Sequence, residues 1–265
     1  GWVNVDSTAT APGVLPHDLR QPLPFNDAHA DAIYASHVLE HFDRAGASRF
    51  LSECHRVIRH GGVLRLVVPD LLWLTETYRR AFEDARAALA AGTTGDDALA
   101  RHDYAVINLI DQLCRHEPGG EMLRFWMRDP MPAAEHVFET NGVETVRSIL
   151  ALQQHGRGAP DVQPPQSDTT TPDGAPHPTF WQRLRYAFAP ERHPLTPPPP
   201  RETDHERLGR FRLSGEPHLW MYDEVSLELL LRQVGFTRIR RMTAAESAIP
   251  RFSSYALGTC NDGSP

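Results

Sequence analysis

The 265-residue sequence predicts an α/β protein built on a mostly parallel sheet, and three observations carry that prediction. Residues Ile33 to Asp70 hold, in succession, an apolar strand, a polar turn, an amphipathic helix, a Gly-Gly step and a second apolar strand. Parallel neighbours need a long crossover, and a helix between two apolar runs supplies one. Upstream, short apolar segments lead to acids at Asp6 and Asp18. Downstream of Asp70 the spacing turns helical and then proline-rich, so the sheet is interrupted by a helical cap and a proline-rich insertion.

Taken in order, Trp2-Val3-Asn4-Val5-Asp6 reads as a short strand ending in a carboxylate, and Asp18 follows a second, weakly apolar segment. Ligands of open α/β sheets sit at the carboxyl ends of strands, where an acid can accept hydrogen bonds from a ribose diol. The next strand leads into Ser36 and His37. Phe50, Leu51, Cys54, Val57 and Ile58 then recur at helical spacing, and Gly61-Gly62 marks the stop, because glycine takes the left-handed position after a helix without steric cost. Val63 to Val68 is a short apolar run of the kind buried on both faces of a sheet.

After Asp70, the spacing of Leu71, Leu74, Tyr78 and Phe82 predicts a helix over 71–92, and that of Tyr104, Ile107, Leu109 and Ile110 another over 98–115. Met122–Trp126 and Val143–Leu150 extend this cap. Between about Gly156 and His205 fall twelve of the 23 prolines, too many for a segment that must donate backbone hydrogen bonds to a regular core. It reads as an insertion or mobile linker. Within it, Thr179–Ala189 reads as a short lid helix with Phe180, Trp181, Leu184 and Phe188 on one side; Arg183 and Arg185 near the other leave membrane-surface contact as the alternative.

Asp223 precedes a helix with Leu227, Leu230, Leu231 and Val234 at i, i+3, i+4 and i+7, so its carboxylate caps the first turn. Gly235 ends that helix, Phe236–Met242 alternates as the sixth strand, and Glu246, Ser247 and Arg251 form a solvated loop. The expected organisation is a sheet core over 1–70, a helical cap over 71–155, the proline-rich insertion or linker over 156–205, and the C-terminal part of the core over 206–265.

The phrases GWVNVD, HDLRQPLPF, ADAIYASHVLEHF, ECHRVIRHGGVLRLVVPD and HLWMYDEVSLELLLRQVGF, in this order, resemble the class I S-adenosylmethionine-dependent methyltransferases. The likeness is greatest to the bacterial group with a VLEH turn, met near polysaccharide and cell-surface glycan genes. It covers residues 1–75 and roughly 205–258. The resemblance implies a Rossmann-like fold and S-adenosylmethionine as cofactor. It also implies that Asp6 binds the ribose, that Asp18 with Leu19 lies near the adenine, and that Ser36 and His37 line the pocket by the methionine portion. Members of the family carry a G-x-G turn just upstream of the GWVNVD phrase; this chain begins at Gly1, and is expected to be a fragment lacking that part of the cradle.

His37-Val38-Leu39-Glu40-His41 also fits H-x-x-E-H, an inverted zinc-protease signature. Such a site needs both histidines on one helical face and a third ligand downstream, whereas this motif follows a strand directly and the next helix offers only Glu53, read as solvated face. No metal is therefore expected, and His41 is read as holding the turn before the helix.

Methyl transfer from a sulfonium is an in-line displacement that asks for alignment, and for a base if the acceptor is a hydroxyl. The candidate bases are His116, alternatively a cation at a helix C-terminus, and His218, alternatively a packed residue. The net charge of −7 excludes a global basic field for nucleic acid. Cys54, Cys114 and Cys260 form no close pair, which points to a reducing, cytoplasmic setting. No apolar run is long enough to span a membrane. The expected function is O-methylation of a small-molecule, sugar or glycan-linked acceptor. A non-catalytic scaffold with a decayed cofactor pocket, or a nucleotide-sugar enzyme, is the alternative.

Overall fold

The computed structural model describes residues 1–7, 12–93, 97–156, 203–244 and 246–255. Strand β1 (Asn4–Asp6) pairs in parallel with β2 (Val14–Pro16), and β3 (Ala30–Ser36) pairs in parallel with β4 (Ile58–Val67). All observed pairing is thus parallel, but the described residues form two two-stranded sheets rather than one continuous one. The three-residue β1 and β2 are mostly exposed and make too short a ladder to recruit further strands.

Helix α1 (Arg44–Val57) makes the crossover between β3 and β4. Asp43 caps it, its carboxylate accepting from Gly46 N at 2.6 Å. The helix ends differently from the sequence expectation. Ile58 is already extended and belongs to β4, paired with Ala30, while Ala32 pairs with Val63. Residues 59–62 therefore loop out of the ladder, and the two glycines serve this bulge rather than the helix end. Gly61 sits at φ +77°, and a Cβ on Gly62 would lie 2.9 Å from the Asp31 carbonyl oxygen. Ile58 is β-branched and fits a pleated ladder better than the last turn of a helix.

Helices α2 (Leu71–Ala90) and α3 (Asp97–Cys114) lie where the spacing predicts them, followed by α4 (Gly120–Trp126), α5 (Ala134–Asn141) and α6 (Val143–Gly156). Tyr104, Met122, Phe125, Trp126, Val137 and Val146 form one buried cluster among these helices. A second cluster, built on Leu39, Phe50, Leu51, Cys54 and Val57, packs α1 against β3 and β4. Helix α7 (Asp204–Arg212) starts with a capping box of Thr203 and Glu206, so regular structure begins before the proline-rich stretch was expected to end. The rest of that stretch, the expected helix over 179–189 and Cys260 lie outside the described residues.

Helix α8 (Glu224–Val234) carries Leu227, Leu230, Leu231 and Val234 onto the α1 cluster. Asp223 caps it, accepting from Ser226 N at 2.7 Å, and Gly235 ends it at φ +110°. The expected strand over 236–242 is absent from the described residues: Arg238 at φ +54° breaks the extended run. The chain beyond is held by a side chain instead of a ladder, the Arg65 guanidinium donating to the carbonyls of Thr243, Ala244 and Glu246.

Candidate active site

The site grows from the carboxyl end of the β3–β4 pair. His37 N donates to Val67 O at 3.0 Å, which extends the ladder one residue past Ser36. His37 is at φ +52°, a left-handed conformation costly for a residue with a Cβ, and the chain there leaves the sheet for a 3₁₀ turn at Leu39–His41. In that turn Leu39 joins the core and Glu40 is fully buried. The Glu40 carbonyl accepts from Leu219 N at 2.7 Å and Trp220 N at 3.2 Å, so the turn is sewn to the segment before α8.

That seam brings four titratable side chains together. His37 Nδ1 lies 3.1 Å from Glu40 Oε1, and His41 Nδ1 lies 3.3 Å from Pro217 O. His218, also buried, donates its backbone N–H to Gln112 O at 3.0 Å, and its ring meets that of His41 edge-on with centroids 4.9 Å apart. Donor atoms of Glu40, His41 and His218 all lie within 4.8 Å of one another. Burial pushes His218 down to about 4, the nearby Glu40 charge only partly opposing it, so its imidazole is neutral at pH 7. The hydrogen bond to Glu40 raises His37. Tyr222 is buried nearby, and desolvation, with Glu40 second, pushes its phenol up to about 12.

A cavity of about 1610 Å³ opens beside these groups, with Ser36, His37, His218 and Tyr222 on its wall and Asn108 and Gln112 facing in from α3. Of the expected site residues, the structure therefore brings Ser36, His37 and His218 to one cavity. Asp6, Asp18 and Leu19 are not on its wall. Asp6 is exposed at the end of β1, with the Ser7 hydroxyl donating to it at 3.2 Å. Asp18 is engaged by Arg20 at 2.8 Å, whose hydrogen bond holds its carboxyl below the usual carboxylate value, and Leu19 packs at the edge of the α1 core.

His116 is separated from His218. Helix α3 stops at Cys114, Arg115 turns inward to a buried ion pair with Asp111 at 2.6 Å, and His116 is left exposed, off the cavity wall. Glu40 and Tyr222 were missed as site residues. The sequence carries no local signal for the burial of Glu40, since an acid in a turn ordinarily faces solvent.

Residues 5–66, from within β1 to the penultimate residue of β4, match the family model described as a methyltransferase domain. Over this segment, which is less than half of the chain, the sequence is similar to methyltransferase domains. Its family uses S-adenosylmethionine as the methyl donor and has a Rossmann-like α/β fold, in keeping with the parallel pairing observed here. The match supports a methyltransferase activity. No curated protein and no solved structure matches the chain. Among the described residues no helix is long and apolar enough to cross a membrane.

The residues fit a sulfonium nucleoside in kind. Ser36 and His37 offer polar groups at a strand end beside a cavity, while Asp6, also at a strand end, lies off that cavity's wall.

Proposed function

We propose that the methyltransferase methylates a hydroxyl oxygen of a sugar or glycan-linked acceptor. The observation that carries this is the cavity. At about 1610 Å³ it exceeds the roughly 300–1,000 Å³ of ordinary small-molecule sites, leaving room for a multi-ring acceptor next to the cofactor. Its wall includes the amides of Asn108, Gln112 and Asn141 and the indole of Trp73. An amide offers a donor and an acceptor to neighbouring hydroxyls, and an indole face suits the apolar face of a sugar ring.

In this reading Asp6 accepts hydrogen bonds from the ribose hydroxyls, Asp18 and Leu19 border the adenine, and Ser36 and His37 border the methionine portion. When bound, S-adenosylmethionine supplies an electrophilic methyl on its sulfonium. The chain's own part is to align the acceptor and to handle its proton, and His218, neutral and on the cavity wall, serves the acceptor hydroxyl. Residues 1–70 and 206–265 form the core and 71–155 the cap over the acceptor; their separate buried clusters support this division. The free thiols of Cys54 and Cys114 support a cytoplasmic setting.

The test is transfer of labelled methyl from S-adenosylmethionine to a panel of sugars, nucleotide sugars and oligosaccharides. The expected product is an O-methyl ether on a sugar, with His218→Asn lowering kcat and leaving cofactor affinity unchanged. Transfer confined to nitrogen or carbon acceptors without sugar would overturn the reading.

A further inference from the structure

We propose that Glu40, His41 and His218 form a binding site for a divalent transition cation of the zinc class, set in the wall of the acceptor cavity. This deepens the role given to His218 above and rests on that reading only for what the cation does, not for its binding.

The donor set comes first. One carboxylate and two imidazoles are the ligands of many zinc sites that keep a fourth position open for a water or substrate oxygen. Here the three sit on two segments that the Glu40 carbonyl locks together through Leu219 N and Trp220 N. Their donor atoms lie within 4.8 Å of one another. Tetrahedral bonds of about 2.1 Å separate ligand atoms by about 3.4 Å, so side-chain shifts on the order of 1 Å close the set around an ion.

A second, independent observation points to a ligand. Glu40 is fully buried, its Oε1 is engaged by His37, and its Oε2 has no hydrogen-bond partner among the described residues. A buried carboxylate oxygen left unpaired is a costly arrangement that a cation resolves.

The surroundings suit metal binding in two further ways. Pro217 O can only accept, so the 3.3 Å contact leaves His41 with its proton on Nδ1 and its lone pair on Nε2, the nitrogen available to an ion. Such a bond from the distal nitrogen is what usually orients a metal-bound histidine. The Arg115 guanidinium, a positive charge felt by His218, is engaged by Asp111 at 2.6 Å and Glu216 at 3.5 Å. The H-x-x-E-H motif thus contributes Glu40 and His41 as ligands and His37 as the outer partner of Glu40, with His218 arriving from the far end of the chain. A bound cation beside the cavity acts as a Lewis acid on the acceptor hydroxyl, which is how His218 serves it.

The experiment titrates Co²⁺ into the chelator-treated full chain and follows the visible ligand-field band. One equivalent is expected to bind with the intensity of a low-coordinate site and to be displaced by Zn²⁺. Glu40→Gln, His41→Asn and His218→Asn should each weaken Co²⁺ binding by about 100-fold or more, beyond what loss of an outer partner usually costs, and His37→Asn by about 10–100-fold. His60→Asn, exposed and outside the cluster, should bind as the unaltered chain does. No band with the unaltered chain, or a band that survives all three ligand substitutions in variants with unchanged circular dichroism, would overturn the proposal. S-adenosylmethionine binding measured by calorimetry without metal tests the methyl-transfer reading separately.

Discussion

Glu53 illustrates what a single side chain does here. It is an α1 residue that spacing alone places on a solvated face, yet its carboxylate accepts from Leu23 N at 2.8 Å and from Arg56 Nη2 at 2.7 Å. Arg56 in turn donates to the carbonyls of Leu23 and Phe25 and to Asp27. The pair therefore fastens the loop before β3 to the crossover helix, a contact between distant segments that helical periodicity cannot report. Arg56 holds the Glu53 carboxyl below its usual 4.5, so the ionised form is favoured in the folded state. The stabilisation is fully present above the unfolded value and disappears as pH falls through the lower folded value. Glu53→Gln should cost about 1 kcal/mol at pH 7, after discounting for its partial exposure, and the difference should vanish well below pH 4.5; urea midpoints of both proteins across pH check this. On the cofactor side, Asp6→Ala should weaken S-adenosylmethionine binding by about 1.5–3 kcal/mol, the scale of hydrogen bonds to a charged group. Unchanged affinity by calorimetry would remove Asp6 from the site.

At the level of elements, apolar periodicity located α2, α3, α4, α6 and the α1–β4 crossover, because amphipathic burial is a local pattern, but it did not report α5 (Ala134–Asn141). It misjudged the joins. Gly61-Gly62 looks like a helix stop in one dimension, but the helix had already ended at Val57 and the glycines carry a bulge. Gly61→Ala meets open space and should cost about 1–2 kcal/mol for its left-handed backbone, whereas Gly62→Ala, with no left-handed backbone, drives a Cβ against the Asp31 carbonyl at 2.9 Å and should cost more, about 2–3 kcal/mol. Equal thermal midpoints for the two variants would contradict the bulge. The segment 236–242 failed for a different reason. Alternation through Arg238, Arg240 and Arg241 does not distinguish a ladder strand from extended chain, and what holds the following residues is the grip of Arg65, which no local pattern shows. Arg65→Ala should loosen 243–246 and be read as faster amide exchange there, with β3–β4 exchange unchanged.

For the molecule as a whole, the two buried clusters share no residue. Val57→Ala in one and Val146→Ala in the other should each destabilise by about 2 kcal/mol, and the double variant by their sum within about 0.5 kcal/mol. A large coupling term would mean the clusters behave as one core. The candidate site was legible in part for the same reason that distance matters. Ser36 and His37 could be placed because they end a recognisable strand. The partnership of Glu40 with His218 could not, since nothing local to either residue names the other.

The contact between His41 and Pro217 joins positions 176 residues apart in the chain. Closing so long a loop costs entropy before the contacts within it repay the cost, and contacts of high sequence separation tend to form late in folding. During synthesis, the H-x-x-E-H turn emerges long before its partner segment and waits with Glu40 lacking the walls that bury it. The candidate site is therefore assembled last, when residues 217–222 arrive, and a chain interrupted before them would keep its crossover helix while lacking the segment that buries Glu40.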